Sequence, residues 1–205
     1  MTDQSMTPID IKKNRKIFLL MVFIFALPQL AALFYFSFKD DLPLATNNHG
    51  DLIQPVRSIK HLNFYDVNDE KVSLADFSGK WIIATANSSL CEQDCINNLY
   101  SLRQIRKAVA NERSRVERLL VITDTVNLEQ LKQNMGEYEG MKIVAAPNDD
   151  VINFAELAKN PNPQFEGGIY IIDPMGNLMM SYPPKFDPKL ILEDLHRLLD
   201  VSQIG

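Results

Sequence analysis

The sequence predicts an α/β protein, a central mixed sheet flanked by helices and preceded by one membrane-spanning helix. Three observations carry that reading. The run from Ile17 to Phe38, "IFLLMVFIFALPQLAALFYFSF", holds no charged residue, and about 20 apolar residues are needed to cross ~30 Å of hydrocarbon. From residue 62 onward short apolar runs alternate with segments of helical period. The chain then closes on a hairpin and a last helix, a pattern that places helices on both faces of one sheet.

The N-terminal span predicts the compartment. Lys12, Lys13, Arg15 and Lys16 precede it, whereas Lys39, Asp40 and Asp41 follow it. Positive flanks stay inside, so residues 1–16 are expected in the cytoplasm, 17–38 in the membrane and the remainder outside, in the periplasm of a bacterium. The apolar region of a cleaved signal peptide is usually only ~7–15 residues long, and "PLATNN" is a poor cleavage site. Pro28 is tolerated in a membrane helix. The whole chain carries 21 basic and 26 acidic side chains, net −5, and is 46% hydrophobic and 23% charged. Residues 1–16 hold four basic side chains and two acids, so the part after the span is more acidic still. Such a surface disfavours nucleic acid and anionic lipid as partners.

Residues 39–60 mix Pro, Gly, Asn and Ser without a period, as a linker or a lead-in strand does. The folded domain is expected over 61–205. "LNFYDVNDEKVSL" (62–74) reads as a hairpin turning at Asn68 and Asp69. "KWIIATA" (80–86) is almost wholly apolar, the mark of a strand buried on both faces. A helix follows from about Ile96 to Asn111, with Leu99, Leu102, Ile105, Ala108 and Val109 at helical spacing. "RLLVITD" (118–124) and "MKIVAAP" (141–147) are further buried strands, and "NLEQLKQNM" (127–135) and "DVINFAELA" (150–158) further helices. "GGIYIID" (167–173) and "LMMSYP" (178–183) pair through the turn "PMGN", whose Gly176 accepts positive φ. The last helix spans Pro188 to Val201.

The chemistry centres on "SSLCEQDCI" (88–96), which holds the only two cysteines, Cys91 and Cys95. Cys91 falls in the loop after a buried strand and Cys95 in or near the first turn of the next helix, whose positive end favours a thiolate. Three readings stay open. A structural disulfide suits an oxidising compartment, although so small a loop restrains the unfolded chain little. A redox pair would use one sulfur to attack and the other to resolve. A soft-metal site would use both thiolates for Cu(I), favoured by the charges of Glu92 and Asp94, which oppose thiolate formation otherwise. Every one of these chemical uses needs the two sulfurs to converge where they are accessible.

Other residues read as structural. Met179 and Met180 point to opposite faces of a strand, so with Met175 they fill space rather than converge on an ion. His196, on the last helix, reads as a solvated residue. Asp124 either modulates a thiol or caps a helix. The basic run "RQIRKAVANERSRVER" (103–118) reads as a solvated helix flank.

"DFSGKW" (76–81), a buried strand and two cysteines at a helix start together resemble the thioredoxin-like superfamily. The CxxxC spacing, with Trp81 ten positions before Cys91, resembles the Sco/SenC proteins of cytochrome c oxidase assembly. "LLVITDTVNLEQLKQ" (119–133) and "IYIIDPMGNL" (169–178) are similar to their later elements, and Asp124 matches an acidic position there. The resemblance implies copper binding by Cys91, Cys95 and a histidine near Phe165, and a cytochrome c oxidase subunit or other copper or thiol protein as partner. No histidine stands in "PQFEGGIY" (163–170), so the third ligand is unidentified; His49, His61 and His196 are the only histidines. Ile96 occupies the place of the family's proline, and no proline precedes "GGIYIID". The resemblance further implies a membrane-anchored protein of oxidase assembly in the cytoplasmic membrane. It would act by thiol–disulfide exchange, as an oxidoreductase, or by Cu(I) handling. The alternative is a non-catalytic assembly or scaffold subunit with a structural disulfide.

Overall fold

The computed structural model of the chain describes residues 8–38, 47–158, 165–202 and 204. Two compact units divide near Asn47 and Asn48. The first holds one α-helix, α1 (Pro8–Phe38), which contains Pro28. Its stretch Asn14–Ser37 is long and apolar enough to cross a membrane. Its apolar side chains, among them Phe18, Phe25, Leu33 and Phe36, are exposed.

The second unit is built on one eight-stranded mixed sheet. Its strands are β1 (Asp51–Ser58), β2 (Phe64–Asp66), β3 (Lys71–Val72), β4 (Trp81–Asn87), β5 (Val116–Ile122), β6 (Met141–Ala145), β7 (Ile169–Ile172) and β8 (Asn177–Tyr182). The order across the sheet is β1-β8-β7-β4-β5-β6-β2-β3. Strand β4 runs parallel to β5 and antiparallel to β7, and β5 is parallel to β6. The helices are α2 (Gln93–Ala108), α3 (Leu128–Asn134), α4 (Asn148–Ala158) and α5 (Pro188–Val201). This is the α/β architecture expected from the sequence.

The folded unit begins earlier than the expected boundary at residue 61. Within the segment read as linker or lead-in strand, Asp51–Ser58 pairs with β8 as an edge strand; residues 39–46 lie outside the described residues. Asp194, buried on α5, fixes this start. It accepts from the backbone N–H of His49 and Gly50 and from the Tyr182 hydroxyl, and Arg197 pairs with it at 3.0 Å. Burial and the Asp194 charge push the Tyr182 hydroxyl pKa up.

Side-chain alternation sorts the core into layers. Ile82, Ala84 and Ala86 of β4 face a cluster closed by Phe154 of α4 and Ile53 of β1. Trp81 and Ile83 face the opposite side, against Leu102 and Ile105 of α2 and Ile191, Leu195 and Leu199 of α5. All seven residues of β4 are buried, as its unbroken apolar run predicts. A third cluster joins α2 and α3 over β5 through Cys95, Leu99, Leu120, Ile122 and Leu131. Among the methionines, Met180 is buried and Met175 exposed.

Candidate functional site

The site forms where β4 and β5 end and α2 begins, a position at which α/β sheets place their ligands. The chain leaves β4 at Asn87, crosses a short loop and enters α2 at Gln93, so Cys95 is the third residue of a 16-residue helix. Its helix starts three residues earlier than the apolar spacing predicts, which takes Cys95 into the first turn. Cys91 precedes the helix at φ 44°, a left-handed backbone uncommon for a residue with a Cβ. The two sulfurs are bonded to each other.

The two cysteines differ in exposure. Cys95 is 4% exposed and packs against Leu99, Leu120 and Leu131, whereas Cys91 is only partly buried at the edge of that cluster. The expectation that both sulfurs are accessible is not met at Cys95, which is buried, whereas Cys91 is partly exposed. The reason is tertiary: Leu120 and Ile122 of β5 and Leu131 of α3 share the apolar cluster of Cys95. Cys95 still lines an open cleft of about 730 Å3, with Asn98, Glu166, Gly167, Pro184 and Lys185 on its walls. On the other side of Cys91, Leu90, Ile96, Leu131, Met135 and Tyr138 line a smaller apolar pocket of about 190 Å3. Leu90 and Ile96 are 53% and 42% exposed beside the disulfide, so the rim of the site is apolar.

Asp124 holds the cysteine loop in place. Its carboxylate accepts from the Ser89 hydroxyl, from the Ser89 N–H at 3.2 Å and from the Val126 N–H at 3.1 Å. The Ser89 hydroxyl oxygen accepts in turn from Asn127 N–H at 2.8 Å. The hydrogen bond from the Ser89 side chain, ahead of the others, holds the Asp124 pKa below the ordinary carboxylate value. The geometry gives Asp124 a third role beside the two left open in the sequence: the N-cap of α3 is Asn127, and Asp124 braces the loops after β4 and β5.

A buried polar network underlies Cys95. Asn98, one turn on from Cys95, donates to the Gly167 carbonyl at 2.8 Å and to Thr85 Oγ1 at 3.3 Å. Thr85 Oγ1 donates to the Gly168 carbonyl at 2.8 Å, and Asn87 donates to Thr85 Oγ1 at 3.0 Å. The loop before β7 is thereby tied to α2 and β4 without a proline. Gly168 is required there, because a Cβ would stand 2.6 Å from the Tyr170 hydroxyl and 3.2 Å from the Phe165 carbonyl.

The acids flanking the cysteines are exposed, and Lys185 Nζ lies 3.1 Å from Asp94. The pair offsets one of the two charges that oppose a thiolate, weakly, since it is open to solvent.

The residues do not fit the three-ligand copper centre implied by the resemblance. Among the described residues no group of three or more His, Cys, Asp or Glu side chains is placed to hold a metal. His49 contacts Glu193, His196 is exposed on α5 and His61 is exposed near β2. Phe165 packs against Phe154 and Tyr170, and next to it Glu166 offers a hard oxygen, poorly matched to Cu(I). Sequence reasoning missed Ser89, Asn98 and Glu166. A lone Asn among the apolar positions of α2 is the signal that marked Asn98.

Residues 81–202 match the family described as transmembrane-like, thioredoxin-like, C-terminal domain. No curated protein matches the chain. Solved structures match the fold at low identity. Copper-bound yeast Sco1 is 14% identical with a TM-score of 0.58, the match covering 77% of this chain and 96% of that one. A SCO1/SenC family lipoprotein of Bacillus anthracis is 17% identical with a TM-score of 0.55, covering 72% and 99%. BsSco, a Sco-family cytochrome c oxidase assembly protein with an identified disulfide switch, is 14% identical with a TM-score of 0.54, covering 77% and 98%.

Proposed function

The chain belongs to the transmembrane-like, thioredoxin-like C-terminal domain family, and from that premise we propose that it is a membrane-anchored thiol–disulfide exchange protein of oxidase assembly. Its α1 is the anchor, with the basic N-terminus in the cytoplasm and the Cys91–Cys95 domain in the periplasm. One observation carries the reading: the two cysteines are bonded at the end of the parallel strands, Cys91 partly exposed and Cys95 buried.

That asymmetry divides the labour. In the reduced protein the Cys91 thiolate attacks one sulfur of a partner's disulfide. The partner's S–S bond breaks, a mixed disulfide with Cys91 forms, and the displaced partner sulfur leaves as a thiolate. Cys95, at the positive end of α2, then attacks the Cys91 sulfur. The mixed disulfide breaks, the second partner sulfur leaves, and the Cys91–Cys95 bond is restored. Two electrons have passed to the partner, whose thiolates take protons from water. A dithiol donor reduces the pair again.

Asp124, through Ser89, and Asn98, through Gly167, position the loops that frame this exchange. The apolar rim of Leu90 and Ile96 suits a protein partner. The Sco-like fold supports copper-site cysteines of cytochrome c oxidase as the substrate class. The chemistry of the donor set supports exchange over a resident three-ligand copper centre.

The test is made in cells that depend on the protein for oxidase. Cys91→Ser and Cys95→Ser are expected each to abolish oxidase copper-site assembly while the protein remains in the membrane. Normal assembly with both variants would overturn the exchange reading and leave a scaffold.

A further inference from the structure

The basic run that reads as a solvated flank is not solvated throughout. It folds into a cavity of about 330 Å3 lined by Arg103, Arg106, Lys107, Arg113 and Arg118, with Glu139 as the acid on its wall. The first three come from the second half of α2, Arg113 from the turn after it, and Arg118 from β5 near its N-terminal end. The disulfide lies beyond the opposite end of the same strands, so the two features are separate.

Arg118 is what sets the cluster apart from a decorated helix end. It is 4% exposed. Its Nη2 donates to the Glu139 carbonyl at 2.7 Å, but its buried Nε and Nη1 have no partner. Burial lowers its pKa from the ordinary value, and the nearby Arg106 and Arg103 charges add to that, against the opposing pull of Glu117. A buried guanidinium with idle donors and like charges around it is costly. Ordinary structural roles explain part of the cluster only. Arg106 donates to the Val116 carbonyl at 2.7 Å and lies 4.0 Å from Glu117, and with Lys107 it complements the negative end of α2. Among the described residues no carboxylate pairs with Arg103, Lys107 or Arg118.

We propose that this cavity binds a phosphoryl group, with Arg118 at its base and the other four cations nearer its mouth. Guanidinium forks match phosphate oxygens in two-point contacts, and a multiply charged anion answers several cations where one carboxylate leaves most unpaired. The group has two sources, a soluble phosphate compound or the headgroup of an anionic phospholipid, since the same chain carries a helix able to cross a membrane.

The experiment uses the full chain in neutral detergent micelles, titrated with inorganic pyrophosphate at constant ionic strength, with chloride as control. Calorimetry is expected to show saturable binding, and the thermal midpoint to rise with it. Arg103→Gln/Lys107→Gln weakens binding tenfold or more. Arg118→Met abolishes it and, having lost an unpartnered buried charge, melts no lower than wild type without ligand. Cys95→Ser binds like wild type. Absence of saturable binding beyond the chloride control, or wild-type affinity in both basic-site variants, overturns the site. Repeating the titration in nanodiscs separates the sources: competition by phosphatidylglycerol relative to phosphatidylcholine assigns the lipid, and its absence assigns the soluble compound, the site standing in either case.

Discussion

Reduction of the Cys91–Cys95 bond is expected to leave the domain folded, and the structure fixes how much stability is lost. The cysteines are 4 positions apart. For a closed loop of that size, the chain-entropy relation gives a stabilisation of about 2 kcal/mol at 25 °C. Cys95 keeps its place against Leu99, Leu120 and Leu131 as a small apolar side chain, so the reduced form loses little packing. A loss of about 2 kcal/mol shifts the melting midpoint of a domain of this size by roughly 4–8 °C. The assay is denaturant unfolding of the full chain in detergent, oxidised and with a non-thiol reductant, followed by tryptophan fluorescence from Trp81, which is buried and reports the core. Loss of the cooperative transition on reduction, or a drop of more than about 4 kcal/mol, would refute the reasoning. The bond would then be a staple on which the fold depends.

Further outcomes rest on the same geometry. Cys95→Ser, offered a small disulfide, accumulates a covalent adduct at Cys91, whereas Cys91→Ser accumulates far less, because Cys95 is buried; intact-mass measurement reads both. Asp124→Ala removes three accepted hydrogen bonds and costs about 1–2 kcal/mol at neutral pH. Because the folded pKa of Asp124 is depressed, that contribution is present above the unfolded value of about 3.9 and is lost as pH falls through the folded one. Unfolding curves of the variant and wild type should therefore begin to draw together only as pH falls below about 4. Glu166→His, in the cleft shared with Cys95, places a borderline nitrogen donor near the thiols. After reduction it should hold Cu(I) against a competing chelator at least tenfold better than the parent.

Central strands and the last helix were legible because their burial is written locally. β4 is an apolar run buried on both faces, and α5 carries Asp187 as its N-cap with Pro188 behind it, both start signals. Edge strand β1 was legible only as one of two readings, linker or lead-in strand, since Ile53 is its single fully buried residue; its pairing with β8 is a long-range fact. The cysteine pair was legible as a centre by spacing and by its place after β4. The inequality of the two sulfurs was not, because α3 and β5 bury Cys95 from far along the chain. The same holds for Asn98, whose partners Thr85 and Gly167 come from other elements. The Arg118 donors gave no sign either: the residue sits in an apolar strand, and its isolation depends on what packs above it.

Redox titration of the pair tests the central claim most directly. The full chain is equilibrated in dithiol–disulfide buffers of graded potential, alkylated, and read by mass for the fraction with both thiols free. An exchange centre gives one reversible two-electron transition, with a midpoint above about −300 mV, where labile and catalytic disulfides lie. A bond that stays closed well below that potential would make Cys91–Cys95 a structural link and contradict the account.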